Sequence, residues 1–312
     1  MALRSFRDIV TAAKDVGAVS LAISGANDTT VLAALELAFQ EGLVSKAVLT
    51  GEINELKGQL NQMNIDASRV SLVDAHDTAD KCRLAVQSIA TGESSILMKG
   101  LVNTEVFMRN ILDPMWDLRT DRFLSQVGIY EIPGVERLLL VSDVGVIITP
   151  DLKQKQSIVE NCIDVALSLG IKLPRAALLS FSEFVNPMVP ASVDASLLTK
   201  MCERGQIKGA IIDGPLALDS AISMESTIQK SITSDVSGRA DILIMPDLMS
   251  GNIFAKSLVY ISQAKSAGVV VGSRVPIILT SRADPAESKF NSIAVSILLH
   301  KAMQPTSAHN YR

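Results

Sequence analysis

At 312 residues the chain exceeds the size at which one hydrophobic core usually stops growing, so two domains or one large α/β unit are expected. Hydrophobic residues make up 48% and charged residues 20%, with a mean hydropathy of +0.31, which points to near-continuous strands covered on both faces and to a buried oligomer interface. A formal charge of -4 and a pI near 5.5 leave no basic stripe for phosphate backbones and exclude a nucleic-acid partner, while apolar runs broken by Gly, Pro or charge exclude a membrane span.

The N-terminal "MALRSFRDIVTAAKDVGA" spaces its apolar residues helically and lacks an uninterrupted apolar stretch, so it reads as a helix rather than a secretory leader. Four strand-then-helix units follow. "AVSLAIS" (18–24) precedes "GAND" and a helix, "KAVLTG" (46–51) precedes "EINELKGQL", "RVSLVDA" (69–75) precedes "DTADKCRLAVQSIA", and "SILMKG" (95–100) precedes "NTEVFMRNILD". In 117–134, "DLRTDRFLSQVGIYEIPG", turn residues accumulate and the helical period is lost, so this stretch reads as a linker. A second series then begins. "RLLLVSD" leads to a helix started by Pro150 and Asp151 and ended by Gly170. "RAALLS", a helix, "GAIIDGP", "ADILIMPD", another helix, "VVVGS", "VPIILTSR" and a last helix, "PAESKFNSIAVSILLHKA", complete it. Strand after helix after strand implies mostly parallel sheets with right-handed crossovers.

In such sheets ligands sit beyond the carboxyl ends of the strands, and four strand ends carry polar or glycine-rich clusters. At Lys99-Gly100, Asn103 or Thr104 can cap the next helix and present amides to a phosphate; an ordinary turn with an exposed lysine is the alternative. In "DGPLALDSAIS", Asp213 and Asp219, either side of the Gly214-Pro215 turn, either orient a base or bind a cation, or serve as an amide acceptor and a helix cap. In "PDLMSGNIFAK", Ser250, Gly251 and Asn252 start a helix with Lys256 one turn on, which suits either an anion or simple capping. "VPIILTSRADPAESK" ends an apolar run on Ser281-Arg282, a hydroxyl beside a planar fork of donors suited to phosphate or carboxylate. A helix capped by Asp284, with Pro285 in its first turn, would aim amides at the same place.

No G-x-G-x-x-G follows the first strand, and there is no phosphate loop of the G-x-x-x-x-G-K-[ST] type and no G-x-S-x-G, which removes support for nicotinamide, ATP and hydrolase chemistry. Cys82, Cys162 and Cys202 lie far apart and odd in number, so no disulfide framework is expected and a reducing cytoplasm is the simplest location. His76, His300 and His309 are scattered without metal-ligand spacing, so no metal site is expected.

In this order, "LMKGLVNTEVFMRNIL", "PDLKQKQSIVENCIDVALSLGI", "DGPLALDSAIS", "SGRADILIMPDLMSGNIFAKSLVY" and "VPIILTSRADPAESKFNSIAVS" resemble the phosphate acetyl/butyryltransferases, most closely the butyryltransferase branch. The resemblance runs from about residue 20 to 300. It implies an α/β fold of two αβα domains with mostly parallel sheets and an interdomain cleft, the phosphotransacetylase-like, isocitrate dehydrogenase-like arrangement. On that reading 1–133 plus 289–312 form the first domain and 134–288 the second, usually in a homodimer. The implied activity is reversible transfer of a short acyl group, butyryl or acetyl, between coenzyme A and inorganic phosphate through a ternary complex. Acyl-CoA, phosphate and acyl phosphate are then the partners, coenzyme A is a substrate, and no cofactor is bound permanently.

Ser281 and Arg282 correspond to a Ser-Arg pair that lies in the active site of related enzymes. Glu287, in competition with Asp284, is the candidate base, because acetyl-specific relatives carry an aspartate several residues past the pair. Lys99, Gly100, Thr104, Asp213, Gly214, Pro215, Asp219, Asn252 and Lys256 are the substrate-binding candidates. Two departures stand out: Gln126 where many relatives have histidine in Ser-His-Val, and Asp143-Val144-Gly145-Val146-Ile147 where they read Asp-Ala-Ala-x-Asn. These departures motivate an alternative, a regulatory paralogue that binds CoA or acyl phosphate with impaired turnover.

Overall fold

The structure, a computed structural model, describes residues 2–63 and 65–304. The chain runs through α1 (Phe6–Val16), β1 (Val19–Ser24), α2 (Thr29–Gln40), β2 (Val44–Gly51), α3 (Ile53–Gln62), β3 (Val70–Asp74), α4 (Thr78–Ala90), β4 (Ile96–Lys99) and α5 (Thr104–Ile111). It continues through β5 (Ser125–Glu131), β6 (Leu139–Ser142), α6 (Leu152–Ser168), β7 (Arg175–Leu179), α7 (Pro190–Glu203), β8 (Ile211–Leu216), α8 (Leu218–Ile222), α9 (Met224–Gln229), β9 (Ile242–Ile244) and α10 (Leu248–Tyr260). The last elements are β10 (Lys265–Val271), β11 (Ile277–Ile278) and α11 (Ala286–Met303).

These elements form two compact units, the first comprising Arg7–Asp121 and Ala267–Arg312, the second Met1–Phe6 and Arg122–Ser266. The breaks differ from those expected near 133 and 288, and strand pairing explains both shifts. The stretch read as a linker contains β5, which hydrogen-bonds antiparallel to β6 and so belongs with the second unit. β11 pairs parallel with β4, Ile277 opposite Leu97 and Ile278 opposite Met98, which returns the residues after Ser266 to the first.

The first unit orders its strands β3-β2-β1-β4-β11-β10, parallel except for the β10–β11 pair. Strands β1 and β4 are mostly apolar and almost wholly buried because helices cover the sheet, as expected for a parallel sheet. Burying a side chain such as Ile23 or Leu97 contributes roughly 1.5–3 kcal/mol, so these central strands hold the unit together. Asp28 caps α2 by accepting from the Thr30 and Val31 amides, and α2 packs against α11. The second unit orders its strands β5-β6-β9-β7-β8, parallel except for β5–β6. Its longest helix, α6, opens with a capping box of Asp151 and Gln154 and ends before Gly170 at φ +79°, as the sequence indicates. Among the described residues, no helix is long and apolar enough to cross a membrane.

Candidate active site

In the first unit, register brings three strand ends together. Ser24 on β1 lies opposite Lys99 on β4, and β11 lies beside β4, so the loops leaving all three strands share one edge of the sheet. The loops touch closely. Gly100 donates its amide to Ser24 O at 2.9 Å, and a Cβ on Gly100 would overlap the Gly25 carbonyl, so only glycine fits there. Asn103 then caps α5, its Oδ1 accepting from the Glu105 and Val106 amides, with Thr104 exposed at the first helical position.

Lys99 is 5% exposed, and among the described residues its Nζ donates only to the Gly100 carbonyl, at 3.3 Å. Burial pushes this ammonium below the ordinary lysine value, and the neighbouring Arg282 guanidinium pushes it further down. Asp28 pulls the other way, but burial and like charge prevail. Burial alone would raise the Asp28 carboxyl; the Thr30 hydroxyl, the Val31 and Thr30 amides and the Lys289 charge hold it below the usual range.

Residues 281–284 form a tight turn. Asp284 N donates to Ser281 O at 3.2 Å, Ser281 N to Asp284 Oδ2 at 2.8 Å, and Ala283 N to Ser281 Oγ at 3.3 Å. This corrects the expected cap: α11 starts after Pro285 without a side-chain cap, because the Asp284 carboxylate faces back into the turn. Arg282 is exposed and makes no ion pair among the described residues. Glu287 lies in the first turn of α11, also exposed.

Sequence reasoning missed two residues here. Asp28 stood only as part of a turn, and Lys289 went unnoticed although it is 1% exposed and donates to the carbonyls of Ser281 and Asp284. The available signal was a lysine in the second turn of a helix whose neighbours are apolar or small.

The remaining candidates lie in the second unit. Asp213 accepts from the Gly214 amide at 2.8 Å, and a Cβ on Gly214 would come within 2.6 Å of Leu178 Cβ; Pro215 follows within β8. Asp219 is paired with Lys230, which also binds Glu183, so its carboxyl falls below the usual range mainly through the Lys230 hydrogen bond. Asn252, in the second turn of α10, donates to Val144 O at 3.1 Å, while Lys256 is exposed on the same helix. The loop that Asn252 grips is built around Asp143, whose buried carboxylate accepts from the amides of Gln126, Gly145, Val146 and Ile147. Burial raises the Asp143 pKa, and those four amides oppose the rise. Gln126 and Ile147, the two departures from the family pattern, serve this loop through their main chains, so neither side-chain change removes a strut.

Similarity to known proteins follows the same segments. The family model described as "Phosphate acetyl/butaryl transferase" matches residues 76–297. The phosphate butyryltransferase of Clostridium acetobutylicum is 38% identical over 297 residues, covering 95% of this chain and 98% of that protein. The phosphate acetyltransferase of Thermotoga maritima is 41% identical over 276 residues, 88% of this chain and 93% of that protein. Among solved structures, a branched-chain phosphotransacylase from Enterococcus faecalis V583 superposes with a TM-score of 0.79 at 31% identity, over 90% of this chain and 99% of that one. The chain belongs to the phosphate acetyl/butyryltransferase family and is a phosphate acyltransferase.

Proposed function

We propose that this phosphate acyltransferase moves a short acyl group, butyryl or acetyl, directly between coenzyme A and inorganic phosphate, with the Ser281–Arg282 turn at the reacting centre. One observation carries the reading: Lys99, at the end of β4, and Arg282, in the loop after the adjacent β11, are neighbouring cations, and neither is ion-paired to a carboxylate among the described residues. Two like charges held together are stabilised by an anion, and a phosphate or phosphoryl group has the right charge and acceptor geometry.

In the direction that makes acyl phosphate, a phosphate oxygen attacks the thioester carbonyl and the C–S bond breaks to release CoA thiolate. In reverse, the thiolate attacks the acyl phosphate carbonyl and the C–O bond to phosphate breaks. Arg282 holds the phosphoryl oxygens and lowers the charge cost of both steps. Ser281 Oγ accepts from Ala283 N, which leaves its own proton to donate to the reacting carbonyl or the thiol sulfur. Lys99, the Gly100 backbone and the α5 start at Thr104 complete the anion site. An alkyl thiol has a free pKa of about 8.5, so attack gains from a base and from positive potential. Glu287, exposed in the first turn of α11, is assigned as that base on its place several residues past the Ser-Arg pair, with Asp284 the competing carboxylate.

The route is direct transfer, without an acyl-enzyme. The buried Cys82 and Cys162 thiols have pKa values raised by burial, which supports a path without a protein thiolate. Asp213, Gly214, Pro215, Asp219, Asn252 and Lys256 are assigned to substrate binding on the second unit. No permanent cofactor and no metal take part in this scheme.

Exposed Phe181, Phe184, Val185 and Met188, each more than half accessible, support a homodimer that covers this apolar stretch. A cytoplasmic setting suits an enzyme with three free cysteines and CoA as substrate. The test is an assay of purified protein with butyryl-CoA and phosphate, following free thiol. Phosphate-dependent thiol release is expected. CoA binding without thiol release from any short acyl-CoA would replace this reading with that of a regulatory paralogue.

A further inference from the structure

The ammonium of Lys289 presents a physical problem. It is almost wholly buried, 1% exposed, in the second turn of α11, among Ser288, Asn291, Ser292 and Ile293, which are also buried. Burying a charge is costly unless it is paired and hydrogen-bonded, and a methionine would fill the same volume without that cost. Its partners suggest what the charge does. Nζ donates to Ser281 O at 3.3 Å and to Asp284 O at 2.5 Å, the carbonyls at the two ends of the turn that presents Arg282.

Among the described residues, the other hydrogen bonds of that turn are internal, Ser281 to Asp284 and Ala283 to Ser281, so they shape it without attaching it to a rigid element. Lys289 attaches it to an 18-residue helix. Asp28, at the start of α2, and Asp284 both lower the cost of the charge, while Lys99 on β4 is a further cation in the same field. We propose that Lys289 is a positioning residue for acyl transfer: its buried ammonium pins both ends of the 281–284 turn to α11 and so holds Ser281 and Arg282 in the reacting geometry. The inference rests on the assignment of that turn to the transfer site. It makes Lys289 act through Ser281 and Arg282 rather than on substrate.

Replacing Lys289 with methionine keeps the bulk and removes both donors. A misplacement of about 1 Å at a reacting centre costs on the order of 100-fold in rate. Lys289→Met is therefore expected to lower kcat roughly 10- to 100-fold per folded molecule while changing the KM for acyl-CoA less than about threefold, because alignment matters most in the transition state. Lys289→Arg, which retains charge and donors, is expected to keep more of kcat than Lys289→Met. Folded fraction is measured for each by near-UV circular dichroism and thermal melting.

A wild-type kcat in Lys289→Met overturns the proposal. So does a fall in activity that matches the loss of folded protein, or failure of both variants to fold, either of which assigns Lys289 to the core alone. Arg282→Ala in the same assay separates the two levels. If it keeps the wild-type rate, the assignment of the turn fails; if it loses activity while Lys289→Met does not, only the positioning role fails.

Discussion

The two units handle buried charge in opposite ways. In the first, Lys99 at the end of β4 and Lys289 in α11 are buried cations whose hydrogen-bond partners are carbonyls, beside an exposed Arg282. At the end of β6 in the second, the buried charge is an anion, Asp143, whose two oxygens are taken up by four main-chain amides. A satisfied carboxylate is a strut: its acceptor capacity is spent on fixing a loop. Lys99 has a single carbonyl acceptor among the described residues and a second cation, Arg282, beside it, which is the difference that the proposed anion site rests on.

The contrast breaks most visibly at Asp143. Asp143→Ala removes the acceptor for four amides, and each unsatisfied donor costs roughly 1–3 kcal/mol, so urea unfolding is expected to show a loss of at least about 3 kcal/mol. A loss below about 1 kcal/mol would mean that the carboxylate is not the strut.

Lys99→Met is expected to do the reverse, leaving stability intact or raised while raising the phosphate KM about 10- to 100-fold, the worth of one charge-assisted donor at roughly 1.5–3 kcal/mol. The pH dependence has a definite sign. Because the folded-state pKa of Lys99 is lowered by burial and by Arg282, its charge is complete below that lowered value and lost as pH climbs through it. The wild-type phosphate KM should therefore rise on the alkaline side earlier than an ordinary lysine dictates, and Lys99→Met should flatten that rise. An unaltered alkaline limb in the variant would remove Lys99 from the anion site.

The smallest effect concerns the two departures from the family pattern. A Cβ on Gly145 would overlap the end of the Gln126 side chain, so the glycine and the glutamine are fitted to each other. Gly145→Ala should force Gln126 into a poorer rotamer at a cost of about 1 kcal/mol, and Gln126→Ala should abolish that cost. Strictly additive losses in the double-mutant cycle would show the two sites to be independent.

Much of this was legible in the sequence. Short Val/Ile/Leu runs closed by Lys99-Gly100, by Asp213-Gly214-Pro215 and by Ser281-Arg282 give both the parallel sheets and the ends where polar groups gather, since a buried strand has no packing reason to finish on such residues. β5 was hidden because its alternation of Val127 and Ile129 with Gly128 and Tyr130 sits among turn residues, and only the antiparallel partner β6 makes it a strand. Asp284 was misread as a helix cap because capping competes with closing a turn, and the Ser281 amide won. Lys289 was invisible for a different reason: a lysine on a helix normally reads as solvated, and tertiary packing alone buries this one.

The account stands or falls on the Ser281–Arg282 turn. The decisive measurement is the rate of acyl phosphate formation from butyryl-CoA and phosphate by Arg282→Ala, compared with the wild type at equal folded concentration. Loss of one preorganised donor to developing charge costs roughly 2.7–4 kcal/mol, so a fall of about 100- to 1,000-fold is predicted. A rate equal to that of the wild type would contradict it.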